Sequence, residues 1–310
     1  MTQNQNQNQK RKYDHKAHKI HETANKARIE DHHVEKAGGA TDAKVLDNFK
    51  RYNVSDSVCD IDQGALGSCT GNGSATGIIC AMYKQNNVEK FMPARRFIYY
   101  NGRKIEGTID EDSGCQISDV MEGIEKYGTL DEHHFIYDPT LYTQKPSAEI
   151  YAEAAKFKGF HWANVDFSQD ATAAARIAHL KRVLQSGYCP VFGFTVYESF
   201  EGPEIAQTGM MSIPQAGEQV MGGHCVCMYG YDDNKKCFKV KNSWGKGWAL
   251  EGSFWMPEQL AADEDMCNSF VIIEQVPNPN DIPGWKVTDI TPDQQNLQGV
   301  VSSGGVVNSS

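Results

Sequence analysis

A chain of 310 residues, 40% of them hydrophobic, holds enough apolar material for one large core or two modest ones. Its formal charge of -10 argues against indiscriminate nucleic-acid binding, which needs a basic face to displace counterions. The charge is uneven: residues 1 to 36 sum to +3 and the remainder to -13, so a basic arm precedes an acidic body. No apolar run has the length of a membrane helix, and "MTQNQNQNQKRK" lacks the hydrophobic stretch of a secretory signal. The expectation is a protein made in the cytosol, without a membrane partner. Nine cysteines leave at least one thiol unpaired under any disulfide scheme, and with no secretory signal mostly free thiols are expected.

In chain order, the opening Gln/Asn tract and the polar segment to residue 36 predict a disordered start and a solvated helix. His15, His18 and His21 would share a helical face there, with His32 and His33 following. Without fixed thiolate or carboxylate partners they read as a solvated arm and not as a metal site. "KAGGATDAK" is a flexible joint, which gives an arm at 1–44, a globular body at 45–276 and a flexible tail at 277–310. "SATGIICAMYKQ" and "SDVMEGIEKYG" repeat apolar residues at helical spacing, with Gly128 suited to end the second helix. "ATAAARIAHLKRVLQSG" (171–187) predicts a further helix. "PVFGFTVYE" (190–198), "HCVCMYGYDD" (224–233), "CFKVKNSW" (237–244) and "GSFWMP" (252–257) predict strands, the middle two paired as a hairpin. A helical half beside a β-rich half is an α+β fold with a cleft between two lobes.

"DIDQGALGSCTGNGSATGIICAMYKQ" carries the chemistry. A thiol is a strong nucleophile as thiolate, and a helix N-terminus or an adjacent imidazolium lowers its pKa. Cys69 stands where the helix should begin. His224 follows two glycines that leave room for a substrate, and the hairpin would bring Asn242 to it, so that the amide orients the imidazole. Trp244 would shield that bond from water. Gln63, six residues before Cys69, can donate to an oxyanion together with the backbone N–H of Cys69.

"QGALGSC", "GGHCVCMYGYD" and "VKNSWGKGWALEGSFWM" resemble the signature blocks of papain-like cysteine peptidases over roughly residues 55 to 275, in that family's order of Gln, Cys, His and Asn. The resemblance implies a two-lobe fold and hydrolysis of peptide bonds in peptide or protein substrates, with no cofactor. It makes Cys69 the nucleophile, His224 the general base and acid, Asn242 its orienter and Gln63 the oxyanion donor. "DSGCQISDVMEGIEKYGTL" is similar to the wall of the family's cleft, so Gly114, Cys115, Gly223 and Trp244 are expected to face the substrate, with Gly114 pairing with its backbone. Thr70 departs from the family's aromatic after the nucleophile. Leu66, with Asp112 and Ser113, stands where the family carries a cysteine pair, which resembles the bacterial and viral branch more than lysosomal enzymes. No long insertion follows residue 130 to turn His133 and His134 into an occluding loop, so the resemblance implies endopeptidase action.

Plainer readings stand beside these. Cys225 and Cys227, two apart on one strand, face one side of the sheet as core residues, not metal ligands. Cys80, Cys115, Cys189, Cys237 and Cys267, with Trp248 and Trp255, are expected in the core, Cys115 also where it could line the cleft, and the Asp263–Glu264 region in a solvated loop. The basic arm is expected to lie across the cleft of its own body as an inhibitory segment. A catalytically silent binding protein and an acyltransferase are the alternatives for the same constellation.

Overall fold

The computed structural model describes residues 44–54, 60–88 and 91–282. The proposed arm, its Gly-Gly joint and the tail beyond residue 282 lie outside the described residues. Strand β1 (Val45–Asp47) leads into the short helix α1 (Asn48–Arg51), capped by the Asp47 carboxylate. Three helices follow: α2 (Cys69–Asn86), α3 (Arg95–Glu106) and α4 (Ile117–Tyr127). Gly128 ends α4 with φ +76, as expected of a glycine at that cap. Helix α5 (Ala148–Ala154) and strand β2 (His161–Asn164) lead to α6 (Ala173–Gln185), whose N-terminus is capped by Thr172. The remainder is mostly sheet: β3 (Val191–Tyr197), a short α7 (Pro203–Thr208), β4 (Val220–Asp232), β5 (Cys237–Lys241), β6 (Ser253–Pro257), a one-turn α8 (Glu258–Ala261) and β7 (Cys267–Gln275).

All pairings among these strands are antiparallel, in the order β2-β7-β3-β4-β5-β6, with β1 added to the far end of β4. Alternation along each strand divides two cores. On β4, Cys225, Cys227 and Tyr229 face the helical lobe, joining Ile78 and Met82 of α2 and Val120 and Ile124 of α4. Val226 and Met228 face the other way, into a core with Leu180 and Leu184 of α6 and with Phe192, Phe194, Phe238, Val240, Phe254 and Met256. The one-sided placement of the Cys-x-Cys pair therefore follows from the pleat.

Helix α2 is the central post, with every residue from Thr70 to Tyr83 buried. Small residues allow this: a Cβ on Gly73 would lie 2.9 Å from the Cys225 thiol, and one on Gly71 would lie 2.8 Å from the carbonyl of Arg95. Close approach to both neighbours brings the start of α2 against β4, and this sets up the site.

Several elements depart from the sequence reading. Helix α3 is not among the elements expected from sequence, and its Arg95, Arg96 and Arg103 sit at buried positions. Strand β4 begins at Val220, so His224 lies inside it and not at its start. Trp248 and Trp255 are half-buried, and Cys115 is half-buried while the other four proposed core thiols are buried. The Asp263–Glu264 region is the exposed turn expected, with Glu264 pairing with the largely buried Arg176. Residues 277–282, assigned to the tail, are docked: Asn86 donates to the Pro277 carbonyl at 3.1 Å, and Ile282 packs against the helical-lobe core.

Candidate active site

Cys69 is the first residue of α2, behind Ser68 as the N-cap residue. Ser68 is held by a chain of hydrogen bonds. The Asn72 amide donates to the Ser68 hydroxyl at 3.0 Å, that hydroxyl meets the Tyr137 hydroxyl at 2.5 Å, and Tyr137 donates to the Gln63 carbonyl at 2.9 Å. Beneath them lies a buried ion pair in which Arg95 donates to Glu132 through Nε at 2.8 Å and Nη2 at 2.7 Å. Its third nitrogen reaches the Asp62 carbonyl at 3.2 Å and Asn72 Oδ1 at 3.1 Å. Leaving one such charge buried alone costs about 3–5 kcal/mol, so the pair fixes its neighbours firmly.

Gln63 is fixed at both ends of its amide. Oε1 accepts from the Ser243 hydroxyl at 2.6 Å, and Nε2 donates to the Leu66 carbonyl at 2.9 Å. Its backbone N–H donates to the Ser243 carbonyl at 2.8 Å, and Gly245 N–H returns a bond to the Ile61 carbonyl at 3.0 Å. The loop before α2 is thus laced to the loop after β5. Gly245 has φ +79, and a Cβ there would lie 3.0 Å from the Asp62 carboxylate.

His224 and Asn242 meet, with Nε2 of the imidazole 2.7 Å from Asn242 Oδ1. The same Oδ1 accepts from the Ser243 backbone N–H at 2.8 Å. A backbone donor at that atom identifies it as the amide oxygen, so Nε2 carries the hydrogen and Nδ1 is the basic nitrogen. Asn242 is itself placed by its backbone N–H, which donates to the Gly252 carbonyl at 2.9 Å. Trp244 covers the pair, its ring 5.3 Å from the imidazole and tilted by 31°, with Phe194 at 5.7 Å on the edge.

Burial pushes the Cys69 thiol up to about 11, while the backbone N–H groups of Cys225, Thr70 and Cys69 pull it down and the Asp112 carboxylate adds to the rise. The sequence reading expected a lowered thiol pKa from the helix start. Those N–H groups are present, but desolvation outweighs them, so ionisation at neutral pH calls for the positive charge of an imidazolium.

The residues expected at the cleft wall are arranged less simply. Gly114 is buried with φ +71, its N–H donating to the Tyr99 hydroxyl at 3.0 Å and its carbonyl accepting from the Ser113 hydroxyl at 3.0 Å. Its N–H is therefore engaged within the fold. The Cys115 thiol contacts the hydroxyl of Thr70, the residue after Cys69, at 3.1 Å. Gly223 is half-buried and pairs with Thr195 across β3 and β4. Trp244 is buried over the imidazole, which makes it a cover for His224 more than a substrate contact. The supporting residues Arg95, Tyr99, Glu132 and Tyr137 carried no signal in the sequence, and Asp112 stands out there only as lying where a cysteine is missing.

A model of the papain family cysteine proteases matches residues 62–272. The chain belongs to this family. It is a cysteine peptidase, a hydrolase whose family acts on peptide and protein substrates. An uncharacterized peptidase C1-like protein of Acanthamoeba polyphaga mimivirus is 46% identical over 263 residues, covering 85% of this chain and 84% of the relative. Among solved structures, xylellain, a cysteine protease from Xylella fastidiosa, is 32% identical with a TM-score of 0.65, covering 76% of this chain and 87% of its own. Digestive procathepsin L 3 of the Tenebrio molitor larval midgut shares the fold at a TM-score of 0.56 and 14% identity, over 77% of this chain and 72% of its own. Among the described residues no group of His, Cys, Asp and Glu is arranged to hold a metal ion, and no helix is long and apolar enough to cross a membrane.

Proposed function

We infer that this peptidase is an endopeptidase working through an acyl-enzyme, with Cys69, His224, Asn242 and Gln63 as its catalytic group. The observation that carries the reading is the His224–Asn242 bond at 2.7 Å, on an amide oxygen fixed by the Ser243 N–H, which defines the tautomer of the imidazole. In the resting site the thiol proton sits on His224 Nδ1, giving a thiolate and an imidazolium. The thiolate adds to the peptide carbonyl, and the oxygen takes the negative charge. The Cys69 backbone N–H and the second hydrogen of Gln63 Nε2, the first being held by Leu66, stabilise that charge. As the C–N bond breaks, the imidazolium gives its proton to the leaving amine, and the acyl group stays on Cys69 as a thioester. Neutral His224 then takes a proton from water, the hydroxide adds to the thioester, and the acid leaves as the thiolate re-forms.

Endopeptidase action is supported by the short path after Gly128. Residues Glu132–His134 form a single turn, and the His133 imidazole is tied to Asp131 at 2.7 Å, so these histidines do not project as a cap. The basic arm is proposed to restrain the acidic body before removal or displacement, a reading supported by the opposed charges of the two segments. One relative in fold, procathepsin L 3, is by name a proform.

The test compares full-length protein with a form starting at Val45, on a mixed fluorogenic peptide library under reducing conditions. The truncated form is expected to cleave internal bonds faster. Equal rates would remove the inhibitory role of the arm, and release of dipeptides alone would remove the endopeptidase assignment. Transfer of the acyl group to added amines in preference to water would instead identify an acyltransferase.

A further inference from the structure

We propose that Asp112 is a positioning residue for the nucleophile: its carboxylate holds the loop that delivers Cys69 by gripping the backbone of Gly67. Both carboxylate oxygens accept from the Gly67 N–H, at 3.1 and 3.0 Å, two residues before Cys69. The grip is close, since a Cβ on Gly67 would lie 3.0 Å from Asp112 Oδ1. Asp112 is itself held from α3, where the Tyr99 hydroxyl donates to Oδ1 at 2.7 Å. Tyr99 is among the most deeply buried large side chains, and the Arg103 guanidinium lies 4.2 Å from its ring centre, so the anchor has little freedom.

The arrangement crosses between segments 45 residues apart in sequence. The loop from Gly64 to Ser68 is fixed on its other side by Gln63 and Tyr137. The Gly67 N–H is its link towards the cleft wall, at the place where the chain has Leu66 and Asp112–Ser113 in place of a cysteine pair. A carboxylate accepting from a backbone N–H is a charge-assisted bond, stronger than a neutral one. Its loss would let the loop, and with it the first turn of α2, shift relative to His224. Displacements of about 1 Å in a reacting group cost on the order of 10²-fold in rate.

The inference rests on Cys69 being the nucleophile, and its test separates the two. The full chain, Asp112→Ala, Asp112→Asn and Tyr99→Phe are compared for kcat and KM on a fluorogenic peptide, for the rate of iodoacetamide addition to Cys69 mapped by mass spectrometry, and for thermal midpoint. Asp112→Ala is expected to lower both kcat and the plateau Cys69 alkylation rate, read from its pH profile because losing the carboxylate also relieves its upward pull on the thiol, about tenfold or more, with a smaller change in KM. Asp112→Asn keeps an oxygen that accepts from Gly67 and Tyr99, and is expected to recover both to within about threefold. Tyr99→Phe frees one side of the carboxylate and should lower both in the same sense.

A lower thermal midpoint in Asp112→Ala with unchanged alkylation and kcat would reduce Asp112 to a structural role and overturn the proposal, as would an Asn variant no better than Ala. Should Asp112→Ala fail to fold, Tyr99→Phe decides, and unchanged rates there overturn it. Cys69→Ala run alongside tests the nucleophile: turnover retained in that variant would sink the catalytic assignment, while the alkylation rates still report on the Asp112 link.

Discussion

Cys69→Ala is expected to lower kcat for a cleaved peptide by at least about 10⁴-fold, to the background of the assay. The methyl group cannot form the thioester, and none of the neighbouring groups replaces it. Cys115 lies against Thr70 and has burial pushing its thiol well up, and Cys225 faces α2 with its thiol raised in the same way. Substrate binding should survive, because the wall and the covering aromatics do not touch the lost sulfur's bond-forming role. The variant is therefore expected to keep its thermal midpoint and bind peptide without turning it over. Equilibrium binding of a fluorescent peptide beside the kinetic assay separates the two effects.

His224→Ala should be nearly as damaging, about 10³-fold or more in kcat, because it removes both the proton acceptor and the charge that ionises the thiol. The second loss has its own signature. On the proposed mechanism the wild-type imidazolium holds Cys69 as thiolate, so alkylation by iodoacetamide should already be fast well below neutral pH. In the variant the thiol is left with burial pushing it up and no imidazolium to offset it. A thiol ionises as pH rises, so a raised pKa moves the thiolate to higher pH. Few molecules would be ionised at pH 7, and the alkylation rate at Cys69 should climb steadily through the alkaline range. Mass mapping across pH 5 to 11 measures the profile for this cysteine alone. A variant profile matching the wild type would mean that the backbone N–H groups at the start of α2 suffice, without the imidazole.

The four proposed catalytic positions could be picked out because each belongs to a compact block of sequence: Gln63 and Cys69 in one loop, His224 in a strand, Asn242 just past the hairpin that returns to it. The β4–β5 pairing, with Cys227 opposite Lys241, carries the chain on to Asn242 at the same end as His224. What was not legible is the support. Arg95, Tyr99 and Arg103 lie on α3, whose polar side reads as solvent-facing in sequence although these side chains are buried. Asp112 acts on a backbone N–H, which leaves no trace in the partner's identity. Strand β7 holds a short apolar run that periodicity alone does not separate from a helix, and β2 is four residues at the edge of the sheet. The engaged N–H of Gly114 likewise follows from a hydroxyl delivered by α3, which no local motif announces.

The most direct test of the account is to titrate the enzyme with a peptidyl epoxide under reducing conditions, following residual peptidase activity and locating the adduct by mass spectrometry. The account predicts one epoxide per chain, on Cys69, with activity falling in proportion to labelling and no labelling of Cys115 or Cys225. Full activity in a chain already modified at Cys69, or an adduct elsewhere that tracks the loss of activity, would contradict it.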